Sequence, residues 1–334
     1  MKSSFPGYIR PTQQEFNQLW LHARIIVDAN VLLNAYGYSA ETREKLFAIL
    51  ERVGDRLWIP HQFALEFLRN RPGVILKQAR NIGRVAKELR KILDHDFRSQ
   101  TNQPFVPEKV VSSLDSLCEE LDNMQAETEG LLRQDANLER ILRLFDGRVG
   151  PESAALQKLY EEGRERYAQK TPPGYADEKE KGEPECFGDF IGWKQILDFS
   201  LAESCSVLFV TDDTKEDWWQ IYESRTIGPR PELLAEFVHT SNNVIYLYSS
   251  SSFVERASEQ FNIEPTPGVI EELKAAFRAR IAEQSAQKSV PKAKKMQESK
   301  VALKPILSGL ETPPETPKSD TTAEMKADPN VCDS

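Results

Sequence analysis

Residues 207–219, VLFVTDDTKEDWW, run four apolar residues into a threonine and two adjacent aspartates. The apolar quartet is short and rich in β-branched and aromatic side chains, as strands buried on both faces are. Asp212 and Asp213 at its end repel one another and any other acid brought near them. Their placement therefore demands a counter-charge. Three other stretches share the strand character: 25–27 (IIV), 57–59 (LWI) and 244–247 (VIYL). Helical patterns lie at 40–52, 60–70 and 189–203. Alternation of this kind predicts an α/β layer structure with a mainly parallel sheet.

The middle of the chain reads differently. Ile75, Ala79, Ile82, Ala86, Leu89 and Leu93 recur at three- and four-residue steps, predicting a helix over 74–94. Another face of that helix carries Lys77, Arg80, Arg84, Lys87 and Lys91. After a turn containing Pro104 and Pro107, a second helix has the seam Leu114, Leu117, Leu121, Met124, Leu131, Leu138, Leu142 and Phe145, with Thr128 and Asp135 interrupting it. Together they predict an antiparallel helical hairpin, residues 74–171, inserted into an α/β domain made of 1–73 and 172–262. Residues 170–188 read as a polar loop rich in Pro, Gly, Glu and Lys. A last helix is expected at 263–286, its pattern clearest from 268. From 287 to 334 the composition shifts to Lys, Ser, Thr, Pro and Glu, which is too polar to offset its ordering entropy and predicts a disordered tail.

Composition narrows the function classes. The chain is 40% hydrophobic and 28% charged, ordinary for a soluble globular protein. No apolar run approaches the roughly 20 residues that span a bilayer. The first residues, MKSSFPGYIRPTQQEF, lack the apolar core of a secretory leader. Cys118, Cys186, Cys205 and Cys332 are scattered, with neither a disulfide framework nor a zinc spacing, which points to a reducing cytoplasm. His22, His61, His95 and His239 form no metal-binding pair. With a net charge of −9, any contact with nucleic acid must come from a local basic patch.

Ligands of open α/β sheets bind outside the carboxyl ends of the strands. The first strand ends in Asp28, with Asn30 two residues on, and the third in Thr211, Asp212 and Asp213. If the two strands are parallel neighbours, Asp28 and Asp213 face one crevice. Glu66 lies about two turns into a helix starting near Pro60, and Asp189 opens a helix after Gly188. Four carboxylates converging there are tolerable if a divalent cation lies among them. Oxygen ligands without His or Cys suit Mg²⁺ or Mn²⁺. Taken singly, each acid has a plainer reading. Asp189 can be an N-cap, Asp28, Asp212 and Asp213 turn residues, and Glu66 an exposed helix acid.

The segments IIVDANVLLNAY, WIPHQFALEFLRNR and GDFIGWKQIL…VLFVTDDTKEDWW together resemble PIN-like domains, most closely the large bacterial group with an inserted helical region. The resemblance spans roughly residues 10–260. It implies a three-layer, Rossmann-like PIN-like fold and a metal-dependent nuclease. Residue by residue, it implies that Asp28, Glu66, Asp189 and Asp213 are the catalytic and metal-binding acids, with Asp212 as a further ligand. Asn30 and Thr211 would steady them. One or two Mg²⁺ or Mn²⁺ ions, about 4 Å apart if two, would orient a water against a phosphodiester. RNA is the favoured substrate.

Arg69, Arg71, Lys77, Arg80, Arg84, Lys194 and Lys215 are the expected nucleic-acid contacts, the helical ones as a stripe leading away from the acids. The bland reading is a solvated helix face. Trp193, Trp218 and Trp219 fit core packing better than base stacking. A phosphatase with an aspartate nucleophile would need an acid where Asn30 stands. A catalytically silent scaffold binding RNA or protein is the remaining alternative. No membrane partner is expected. The leucine seam leaves open a homo-oligomer or a protein partner through the hairpin.

Overall fold

The computed structural model describes residues 1, 5–98, 106–223, 225–263 and 267–289. Helix α1, Gln13–His22, is capped by Thr12 and Glu15 bonding each other's backbone N–H groups. It leads into β1, Arg24–Val27. Helix α2, Ala29–Asn34, and helix α3, Ala40–Val53, follow, the latter capped by Ser39 and stopped by Gly54 at φ +60°. Strand β2, Leu57–Trp58, precedes α4, His61–Ile92. Helices α5, Glu108–Gly130, α6, Ala136–Leu144, and α7, Leu156–Ala168, make up the helical middle. The segment after α7 contains a tight turn, Tyr175–Asp177, and the short helix α8, Glu178–Lys181. Then come α9, Gly188–Glu203, and β3, Val207–Val210. Strands β4, Trp219–Tyr222, and β5, Arg225–Pro229, form an antiparallel pair. Helix α10, Pro231–Ser241, β6, Ile245–Tyr248, α11, Ser250–Phe261, and α12, Pro267–Ser289, complete the order.

Among the described residues, the main sheet has the strand order β2-β1-β3-β6, all parallel, with Val27 opposite Val210. Strand β3 is buried at every position, so helices cover both faces of the sheet. Phe63 of α4 stacks on Phe209 and Trp218 packs on it at a tilt, on the side where α9 packs on both α4 and α10. On the other side Trp20 of α1 stacks on Phe253 of α11, which packs against α3. Burial of each such aromatic contributes about 1.5–3 kcal/mol. The α/β fold with a mainly parallel sheet is therefore the observed one. Contacts divide the chain into a compact unit, Met1–Ile281, and a second unit from Ala282 on, of which only the end of α12 is described.

The helical middle departs from expectation in three places. The predicted helices over 60–70 and 74–94 are one, α4, with Pro72 inside it. The domain boundary expected at residue 73 thus falls within a helix. The buried stripe Phe63, Phe67, Arg71, Ile75, Ala79 steps by four straight through the proline; Phe63 and Phe67 enter the main core, and α5 packs against α4. Pro72 is itself exposed, so its missing N–H costs one bond on the solvent side. The seam expected over 114–145 breaks between α5 and α6, where Asp135 caps α6 through the N–H groups of Asn137 and Leu138. Residues 170–188 are not an open loop: Tyr167, Cys186, Phe187, Phe190 and Ile191 form a small core of their own. Pro104 and the tail from residue 290 lie outside the described residues.

Candidate functional site

The parallel pairing of β1 and β3 fixes the first part of the site. Asp28 N–H donates to Val210 O, so Asp28 and Thr211 leave the sheet side by side. Thr211 Oγ1 donates to Asp28 Oδ2 at 2.6 Å and accepts the N–H of Asp213 at 3.0 Å. Asn30 Nδ2 donates to Asp28 Oδ2 at 2.6 Å, and Asn30 Oδ1 accepts the N–H of Asp212 at 3.0 Å. Asn30 and Thr211 thereby lock the two strand ends together and fix which way Asp28 and Asp213 face.

Glu66 and Asp189 come from the helices flanking this end. Helix α9 approaches α4 closely because Gly192 stands against Phe63; a Cβ at Gly192 would collide with that ring. One turn earlier, Gly188 leaves room beside Glu66. The four carboxylates act on one another electrostatically. Burial, then Asp189 and Glu66, push Asp28 well above the usual carboxylate range. Burial, then Asp189, also raise Glu66. Asp213 is raised by burial, which the Lys215 ammonium only partly offsets. For Asp189 the balance reverses: burial opposes ionisation, but Lys215 and Lys181 outweigh it, and Asp189 is lowered.

Two ammonium groups lie within this acidic centre. Lys215 Nζ is 2.8 Å from Asp213 Oδ2, 3.6 Å from Asp189 Oδ2 and 2.7 Å from Asp177 Oδ1. Lys181 Nζ is 2.6 Å from Asp177 Oδ2. Burial alone would lower both lysines, yet the surrounding acids, Asp189 first, raise them. Asp177, a buried acid, and Lys181 were absent from the expected acidic site. Their one signal in the sequence was the four-residue spacing, which lets Lys181 at the end of α8 reach back to Asp177 just before it. The turn carrying Asp177 is held by Asp217, which is fully buried and accepts the N–H groups of Gly174 and Ala176. Burial first, and then Asp189 and Asp213, push Asp217 up to about 7 despite the bond from Ala176.

Several expected residues stand elsewhere. Asp212 points away from the acidic centre: its carboxylate accepts from Asn34, from the backbone and hydroxyl of Ser250, and from Arg280. That set of donors ties α2, α11 and α12 to the strand end, so Asp212 stands as a tether between them. Arg71 is buried, its guanidinium bonded to Asp135 and the carbonyl of Leu131, because it fills a place in the α4 stripe. It does not stand ready for a phosphate. Lys215 is turned inward onto the carboxylates. Lys194 pairs loosely with Glu162. Arg69, Lys77, Arg80 and Arg84 are exposed along α4, the last paired with Glu88. Trp193, Trp218 and Trp219 are core residues, and the latter two donate to Asp189 and to the carbonyl of Asp213.

As these side chains stand, no group of three or more His, Cys, Asp or Glu among the described residues is disposed to hold a metal ion. The chemistry of the donor set nonetheless fits a hard divalent cation. Asp28, Glu66, Asp177, Asp189 and Asp213 face two ammonium groups, leaving an excess of buried negative charge. A cation among oxygen ligands relieves that repulsion.

A family model described as PIN like domain matches residues 24–233. The match begins with the first residue of β1, runs through the whole helical middle and ends in α10. No curated protein and no solved structure matches the chain.

Proposed function

Because the chain belongs to the PIN-like domain family, a family that generally includes nucleases, we propose that it is a divalent-cation-dependent endonuclease acting on nucleic acid, RNA before DNA. One observation carries the reading: Asp28 and Asp213 are bridged by Thr211 at the carboxyl ends of β1 and β3, Lys215 joins Asp213 to Asp189, and Glu66 lies beside Gly188 at the start of α9. Asp28, Glu66, Asp189 and Asp213 would hold Mg²⁺ or Mn²⁺, which when bound supplies Lewis acidity at the phosphate. Asn30 and Thr211 keep Asp28 oriented, each donating to the same oxygen. Trp218 does so for Asp189 from a longer distance, 3.4 Å. The exposed cations of α4 continue from Glu66 along the same helix and offer a track for a phosphate backbone.

The test is cleavage of labelled RNA and DNA, single-stranded and duplex, in Mn²⁺, beside Asp28→Asn and Asp213→Asn. Both variants should lose at least about a hundredfold in rate. Equal cutting by wild type and variants would assign the activity to a contaminant or another site. The inward lysines favour a second reading, a silent scaffold whose acidic centre is neutralised from within. Titration calorimetry with Mn²⁺ separates the two, since a scaffold of that kind takes up no metal.

A further inference from the structure

The nuclease reading leaves Lys215 and Asp177 without a role, although both are inside the acidic centre. A surface lysine keeps its ammonium in water. That of Lys215 is drawn inward, its side chain 19% exposed, onto three acids. Its backbone N–H also donates to Asp213, at 2.7 Å, so main chain and side chain grip the same carboxylate. The ammonium therefore covers the Asp213 oxygen nearest it and neighbours Asp189, two of the acids proposed to hold a divalent cation. A cation and an ammonium cannot share those lone pairs.

Asp177 is the second half of the arrangement. Its oxygens face Lys215 on one side and Lys181 on the other. Its turn is fixed by Asp217 through two backbone N–H groups. It is thus a rigid acceptor reserved for ammonium groups. When Lys215 gives up Asp213 and Asp189, Asp177 still holds it beside the centre. We propose that Lys215 is a resident counter-cation of the acidic centre, competing with the divalent cation for Asp213 and Asp189, with Asp177 as the acceptor it keeps when displaced. This inference rests on the cation-dependent nuclease reading. It adds that the lysine sets how much free cation is needed to load the site, and that it neutralises the centre when cation is scarce.

The experiment is titration of the full chain with Mn²⁺ by calorimetry, with Lys215→Met, Asp177→Asn and the double variant alongside. Lys215→Met keeps the side-chain length without the charge and should bind Mn²⁺ about tenfold more tightly. Asp177→Asn deprives the displaced ammonium of its acceptor and should bind more weakly. That loss should shrink when Lys215 is also replaced, which a purely electrostatic effect of losing one acid would not do. Equal or weaker binding by Lys215→Met overturns the competition and leaves the nuclease reading standing. Absence of Mn²⁺ binding by every form overturns both. Should Lys215→Met fail to fold, reductive methylation of the wild type followed by mass spectrometry gives the answer. Saturating Mn²⁺ should speed modification of Lys215 several-fold; an unchanged or slower rate overturns the proposal.

Discussion

Among the described residues Asp217 is buried without an ion pair, Lys215 acting on it only weakly, and its Oδ1 meets no hydrogen-bond partner. Unfolded, it ionises near its ordinary value of 3.8; folded, near 7. Between those values the folded state holds the proton more tightly. Its contribution to stability is therefore fully present below about pH 4 and is lost as pH rises through 7, by at most about 4 kcal/mol. Asp217→Asn cannot ionise. In urea denaturation with chelator present, the variant should lose less stability than wild type between pH 5 and pH 8. Parallel pH slopes would mean that Asp217 stays ionised in the fold. Asp212 gives the opposite case, a buried acid fully partnered. Its removal in Asp212→Ala strands the guanidinium of Arg280 and the hydroxyl of Ser250, and should cost about 3 kcal/mol. A loss within about 0.5 kcal/mol would show that the α12 tether holds nothing.

At the scale of elements, the site depends on how closely α4 and α9 approach, because each carries one of the acids. Gly192→Ala places a methyl group against Phe63 and should destabilise the protein by about 1–3 kcal/mol. It should also widen the distance between Glu66 and Asp189, weakening Mn²⁺ binding in calorimetry. Unchanged binding would show that the two acids need not be close. This contact also marks where reading the sequence fails. The strands were legible because short apolar runs rich in β-branched or aromatic residues name a buried strand without help from tertiary structure. Asp28, Asn30 and Thr211 were legible because they end such strands. The continuity of α4 was not, since Arg71-Pro72-Gly73 has every local mark of a helix end. Only Asp135 and α5, distant in sequence, make Arg71 a buried position and keep the helix going. Asp177 was hidden for the same reason. Residues 170–188 look like a solvated loop until Asp217, forty residues on, captures their backbone.

Across the whole molecule, charge is the physical question. A chain of net charge −9 with an acidic centre repels a phosphate backbone, so attraction must be local. The one-helix continuity of α4 supplies a route, because Glu66 and the exposed Lys77, Arg80, Arg84, Lys87 and Lys91 share a rigid element. Partial neutralisation from the neighbouring helix is visible where Arg90 pairs with Asp122 of α5. Among the described residues Lys87 and Lys91 form no ion pair, and they stand further along the helix from Glu66 than Arg69 does. If they touch phosphates of a single strand, each adds about 0.7 to the slope of log binding constant against log salt. Replacing both with Gln should therefore lower the slope by about 1.4 and weaken binding across sequences alike. Mn²⁺ affinity should not change, because neither lysine is in the acidic centre. The slope is read from fluorescence anisotropy of a labelled oligonucleotide at a series of salt concentrations, in Ca²⁺ to hold back cleavage. A slope that stays the same returns these two lysines to the role of a solvated helix face, and nucleic acid would then have to meet α4 nearer Glu66, at Arg69 to Arg84, or another surface.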